Sequence, residues 1–151
     1  MSDEGQTKTG QTKTGQNRTV YTAIAYDHDR KPLEKFLEAE GYNVVFINVY
    51  NPQSLTDAFN TSGGVFAVVS SLINPLLPID QMDFGDQLAL EARKLSGHHL
   101  TIIFSSQTPS VQGDDVRFVE KCLFSRLLRD KNHVEIKGHL DQFFEGLNND
   151  K

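Results

Sequence analysis

The chain has 151 residues and a mass of 17.0 kDa, the size of one domain, and its apolar content of 38 % includes 10 Phe and no Trp. With 15 basic against 20 acidic residues the formal charge is -5, which argues against non-specific binding to nucleic acid, since that needs a positive field. A single cysteine, Cys122, excludes an internal disulfide and suits a reducing compartment. No apolar run reaches the roughly 20 residues of a membrane span and there is no signal-peptide pattern, so a cytosolic or nuclear protein without a membrane partner is expected.

The chain divides into a tail over residues 1–19 and a domain over residues 20–151. In the tail, Gly5-Gln-Thr-Lys-Thr is repeated from Gly10 and again, loosely, as Gly15-Gln-Asn-Arg-Thr. No apolar residue stands between Met1 and Val20, so the tail cannot offset its own ordering entropy and reads as disordered.

From Val20 the pattern changes. Val20–Tyr26 is rich in β-branched and aromatic residues and predicts a strand. Pro32 stands where a helix can begin, and Leu33, Phe36 and Leu37 give helical spacing that Gly41 closes. Val44–Ile47 reads as a strand buried on both faces of a parallel sheet. Asn51-Pro52 opens a short helix carrying Leu55, Ala58 and Phe59, and Val65–Val69 is another buried strand. The longest helix is expected next, with Asp80 as N-cap, apolar positions at Met82, Leu88, Ala92 and Leu95, and Gly97 at its end. Leu100–Phe104 is the fourth strand. Asp114 then begins a helix with Val116, Val119, Leu123, Leu127 and Leu128, Val134–Ile136 is a short fifth strand, and Leu140, Phe143, Phe144 and Leu147 mark a closing helix. This alternation predicts an α/β fold, a three-layer doubly wound parallel sheet of about five strands joined by right-handed crossovers.

Several segments resemble a known family. Glu40-Gly-Tyr-Asn-Val-Val, Asn51-Pro-Gln-Ser-Leu and Gly64-Val-Phe-Ala-Val-Val are similar to the NmrA-like pattern E-G-x-x-V-V, D-P-x-S-L and G-V-F-x-V. Gly85-Asp-Gln-Leu-Ala-Leu-Glu-Ala, His99-Leu-Thr-Ile-Ile-Phe-Ser-Ser and Phe118-Val-Glu-Lys121 follow in the order of that family's G-x-x-L-x-x-A helix, H-x-V-x-S-S strand and H-F-x-S-K helix, and His133-Val-Glu-Ile-Lys resembles its next strand. The resemblance implies a Rossmann-type domain that lacks the family's first strand, its glycine-rich turn and its C-terminal substrate lobe. A rival alignment makes Val20–Tyr26 the first strand, with Asp27–Lys31 as a turn that has lost its glycines. Either way Asp27 and Asp29 present negative charge where glycines would let the backbone approach a pyrophosphate, so the usual dinucleotide site is expected to be absent or damaged. Removing the first strand from the order 3-2-1-4-5-6 leaves a sheet that renumbers to 2-1-3-4-5, the flavodoxin-like order.

No catalytic set emerges; no Cys or carboxylate lies at metal-ligand spacing to His98-His99, His28 between Asp27 and Asp29 is a weak metal candidate, and Cys122 reads as a structural thiol. By the resemblance Lys121 falls on a helix near a nicotinamide ribose, but the companion Tyr four residues earlier is replaced by Arg117, and a solvated helix lysine is the simpler reading. The first functional reading is a non-catalytic regulatory, protein-interaction module: a pseudoenzyme without cofactor, whose partner is a protein, transcription-related by the resemblance, or a second copy of the chain. The alternative is an NAD(P)-binding oxidoreductase or redox sensor that holds NADP or NAD at a residual site of Asn48, Ser70, Ser105 and Lys121. Ser71 and Ser106 lie beside those strand ends. A third reading takes a flavin or mononucleotide at the same ends.

Overall fold

Five stretches whose inward positions carry β-branched and aromatic residues pair into one all-parallel sheet. The strands are β1 (Thr19–Ala23), β2 (Asn43–Phe46), β3 (Val65–Ser70), β4 (His98–Ser105) and β5 (Val116–Glu120), in the order β2-β1-β3-β4-β5. Among the described residues three long helices flank it: α1 (Asp27–Ala39), α2 (Phe84–Lys94) and α3 (Arg126–Asn149). The computed structural model describes residues 18–47, 56–58, 60, 65–72, 83–95, 98–121 and 126–149, without the side chains of 126–129 and 147–149. The tail therefore lies outside the described residues except for Arg18 and Thr19, and Thr19 already belongs to β1.

Successive residues of a strand face opposite sides, so each central strand feeds two cores. Val20, Ala67, Val69, Leu100, Ile102 and Val119 meet Leu33 and Leu37 of α1 and Ile136, Leu140 and Phe144 of α3. On the other face Tyr21, Phe66 and Val68 meet Phe84, Leu88 and Ala92 of α2, with Tyr21 stacked on Phe66 at 4.9 Å between ring centroids. Leu72, Ala89, Ile103 and Val116 continue that second layer toward β5. The expected three-layer α/β architecture and the 2-1-3-4-5 order are both present.

Five local expectations differ. The first helix begins at Asp27, five residues ahead of Pro32. The carbonyl of Tyr26 accepts from the N–H groups of Asp29 and Arg30 at 3.1 and 3.0 Å, and two acidic residues in the first turn suit the helix dipole, so Pro32 falls inside the helix. Strand β2 is not buried on both faces. It is a sheet edge, with Val45 39 % and Phe46 47 % exposed, and Arg30 lies over the Phe46 ring at 4.0 Å. The segment expected to be a helix from Asp114 is β5 instead: the Asp115 carbonyl accepts from Thr101 N at 2.8 Å, and Ile103 pairs with Phe118. Val134–Ile136, expected as a strand, lies within α3, because His133, Ile136, Leu140 and Phe144 recur at helical spacing and are buried while Val134 faces out. At 24 residues α3 is longer than the 11-residue α2, which was expected to be the longest. The expected N-cap Asp80 and the helix opening at Asn51 lie outside the described residues, although residues 56–58 are helical.

The β4–β5 crossover, residues 106–115, carries no helix. It is held from α2. Asp86, 1 % exposed, accepts from the N–H groups of Ser110 and Val111 at 3.1 and 3.0 Å. Arg93 bonds both carboxylate oxygens of Asp115 at 2.8 Å and also the Gln112 carbonyl.

His99 sits beside this clamp, its Nδ1 3.8 Å from Asp115, with Arg93 and His98 nearby. Burial depresses its pKa below the ordinary 6.5, outweighing the attraction of Asp115, and burial does the same to His139. A histidine whose folded pKa lies below its unfolded one binds more protons when unfolded, so stability rises with pH through that window. Stability is accordingly expected to fall as pH drops from above 6.5 toward each folded pKa, with His99→Gln flattening the slope in urea titrations at successive pH values. An equal slope in wild type and variant would remove His99 as its source. Asp115, held below its usual range by Arg93, adds a second loss only at lower pH.

Candidate functional site

A parallel sheet whose chain reverses direction of travel between β1 and β3 leaves a crevice at the carboxyl ends of its strands. Here that crevice is a cavity of about 230 Å³. Ile24 and Leu72, which follow β1 and β3, and Phe104 of β4 form its apolar wall. Tyr26 stands at the rim, 47 % exposed, and Ser71, Ser105, Ser106 and Gln107 supply polar groups. Its two charged residues are Asp29, from the first turn of α1, and Lys121, which directly follows β5.

Those two charges are bonded to each other. Lys121 Nζ donates to Asp29 Oδ2, with side chains 21 % and 6 % exposed, and the exposed His28 comes within 3.7 Å of the other carboxylate oxygen. The Lys121 backbone N–H also donates to the Ser105 carbonyl at 2.8 Å, which fixes the lysine at the end of β4. Ser71 Oγ accepts from Ala25 N at 3.2 Å and Ser105 Oγ accepts from Gln107 N at 3.1 Å, so both hydroxyls brace the turns that leave β1 and β4.

Of the four residues expected to form a residual site, the structure brings two together. Ser105 and Lys121 line one cavity. Ser70 is fully buried on the α2 side and its hydroxyl donates to the Ser71 carbonyl at 2.7 Å, so its neighbour Ser71 holds the cavity position. Asn48 lies outside the described residues, as does Cys122. Lys121 is neither on a helix nor free in solvent, contrary to the sequence reading. Asp29 was read only as a charge unfavourable to pyrophosphate, and its pairing with Lys121 had no local signal in the sequence. Among the described residues no three His, Cys, Asp or Glu side chains stand close enough to hold a metal ion.

No family model matches this chain, and no curated protein matches it in sequence. A search of solved structures finds the receiver domain of the hybrid histidine kinase CckA, at a TM-score of 0.55 and 21 % identity, over 81 % of this chain and 98 % of that one. The two share a fold. That match overturns the NmrA-like resemblance: the five-stranded sheet in the order 2-1-3-4-5 is that of a receiver domain, which the match covers over 98 % of its length. The motif alignment also fails inside the chain, since Phe118–Lys121 was matched to a helix and lies at β5, and His133–Lys137 was matched to a strand and lies in α3. Its shared motifs are what any strand–helix alternation produces, a glycine at a helix end followed by a β-branched strand. The NmrA-like assignment and the NAD(P)-binding role drawn from it are withdrawn. Among the described residues no helix is long and apolar enough to cross a membrane.

Proposed function

We propose that this chain is a regulatory signalling module on a receiver-type scaffold, acting by binding a protein partner and without turnover of its own. The likeness to the receiver domain of a hybrid histidine kinase supports the signalling class. One observation carries the absence of turnover. The only carboxylate among the described lining residues, Asp29, is held by Lys121, and no described His, Cys or second carboxylate lines the cavity to serve as base or nucleophile. Among the described residues the Ser71 and Ser105 hydroxyls make no hydrogen bond to a general base, and a serine without one is a weak nucleophile.

The purified chain, incubated with acetyl phosphate and Mg²⁺, is expected to keep its intact mass. A stable phosphoryl adduct on Asp29 or on a cavity serine would overturn the non-catalytic reading. The partner is a separate regulator or a second copy of the chain. Sedimentation at micromolar concentration separates these, a strictly monomeric chain leaving the separate regulator.

A further inference from the structure

Three groups of the cavity lining keep donors that no described acceptor takes up: the hydroxyls of Ser71 and Ser105 and the ammonium of Lys121. Four of the lining carbonyls are occupied: Tyr26 O accepts from Asp29 N and Arg30 N, Ser71 O from Ser70 Oγ, Leu72 O from Gly85 N, and Ser105 O from Lys121 N. Ser71 Oγ and Ser105 Oγ each accept from a backbone N–H, and neither hydroxyl proton has an acceptor among the described residues. A hydroxyl carries one proton and an ammonium three, and Lys121 uses one of its N–H groups on Asp29. Two hydroxyl donors and the rest of an ammonium therefore line one cavity beside the Asp29 carboxylate, unused among the described residues.

Charge decides which anion suits that space. Lys121 and Asp29 cancel, so the lining is neutral overall and holds a carboxylate beside the donors. A dianion would meet that carboxylate with twice the repulsion of a monoanion and no net positive charge to offset it. The remaining wall is apolar, with Ile24, Leu72 and Phe104 between 1 % and 4 % exposed. Its volume of about 230 Å³ holds a ligand of roughly seven heavy atoms if each takes about the volume of a water.

We propose that this cavity binds a small organic monocarboxylate, its carboxylate on Ser71, Ser105 and Lys121 and its aliphatic body against Ile24, Leu72 and Phe104. The inference goes beyond the regulatory reading and stands apart from it, since it needs neither a partner nor phosphoryl chemistry. A free carboxylic acid and the terminal carboxylate of a peptide share this chemistry.

The test is a residue-resolved NMR titration of the full chain at pH 7 and constant ionic strength with acetate, butyrate, isovalerate, a short peptide ending in leucine, and inorganic phosphate. Saturable shifts of the Ser71, Ser105 and Lys121 amides are expected, with affinity rising roughly fourfold per buried methylene. Phosphate is expected to bind more weakly than isovalerate. Tighter binding of the peptide than of isovalerate assigns the carboxylate to a chain terminus, and the reverse order assigns it to a free acid. Ser71→Ala and Ser105→Ala are each expected to weaken isovalerate at least about tenfold while circular dichroism is unchanged. Absence of saturable shifts with every carboxylate overturns the proposal, as does tighter binding of phosphate than of isovalerate. If either variant does not fold, the wild-type titration decides by itself. The acetyl phosphate experiment is independent of all these outcomes, so failure of one reading leaves the other measurable.

Discussion

Lys121→Met is expected to lower the unfolding free energy by about 3 kcal/mol, read from urea unfolding followed by circular dichroism at pH 7. The reason lies in what remains. Asp29 is 6 % exposed, and with the ammonium gone its remaining ionic neighbour among the described residues is His28, 3.7 Å away and itself exposed. Removing one member of a buried pair costs about 3–5 kcal/mol, because the other charge stays desolvated without compensation. The lower end applies here, since a fifth of the lysine side chain reaches solvent. Replacing both partners separates lost attraction from stranded charge. Asp29→Leu combined with Lys121→Met is expected to recover most of the deficit, as buried pairs exchanged for apolar residues of similar volume often do. A single-variant loss below about 1 kcal/mol would show that the pair behaves as a solvent-screened surface contact.

The same pair shows where the sequence stops being informative. The three central strands are legible because a strand buried on both faces has few places for polar residues, and Val65–Val69 and Leu100–Phe104 show nearly unbroken apolar runs. The order 2-1-3-4-5 was drawn from the NmrA-like pattern by removing a strand from 3-2-1-4-5-6, and it holds although that family assignment does not. Strand β5 is not legible. Val116 and Val119 stand three apart, as on a helix face, and Asp114 resembles an N-cap; pairing with β4 decides the matter, and that is a tertiary interaction. Val134 and Ile136 mislead in the opposite direction, two β-branched residues carried into a helix by the packing of Ile136, Leu140 and Phe144. Once β5 is taken for a helix, Lys121 lands on a solvated surface. Its true partner is 92 residues away and carries no local trace of the contact. Ser105 was identifiable because strand ends at a switch point are where ligands collect. Ser70 was one residue off, since alternation along a strand turns its side chain inward and gives the cavity to Ser71.

Gly85→Ala provides the sharpest test of how that cavity is built. Gly85 lies in the first turn of α2, and its N–H donates to the Leu72 carbonyl at 2.9 Å, so helix backbone rests directly on the end of β3. A Cβ there would stand 2.8 Å from the Ser71 carbonyl oxygen, 2.9 Å from Ile103 Cδ1 and 3.0 Å from Leu72 Cα. Two of these three atoms are backbone and cannot swing aside as a side-chain end does. Helix propensity by itself favours alanine by up to about 1 kcal/mol, but overpacking a tight contact costs about 1–3 kcal/mol, and with backbone on the far side the upper figure applies. A net loss of about 2 kcal/mol is expected in urea unfolding. Gly138→Ala is the matched control. That position is exposed within α3, nothing lies within 4 Å of an added Cβ, and a gain of up to about 1 kcal/mol is expected. Opposite signs for the same substitution at two helical glycines would isolate the steric contact from the backbone preference. The contact also bears on the site, because any relief of the Gly85 clash displaces Ser71 and Leu72, two walls of the cavity. Gly85→Ala is therefore expected to weaken isovalerate binding as well as the fold, whereas Gly138→Ala leaves binding unchanged. A Gly85→Ala protein with wild-type stability would mean that α2 can slide on β3, and that the cavity is not fixed by this backbone contact.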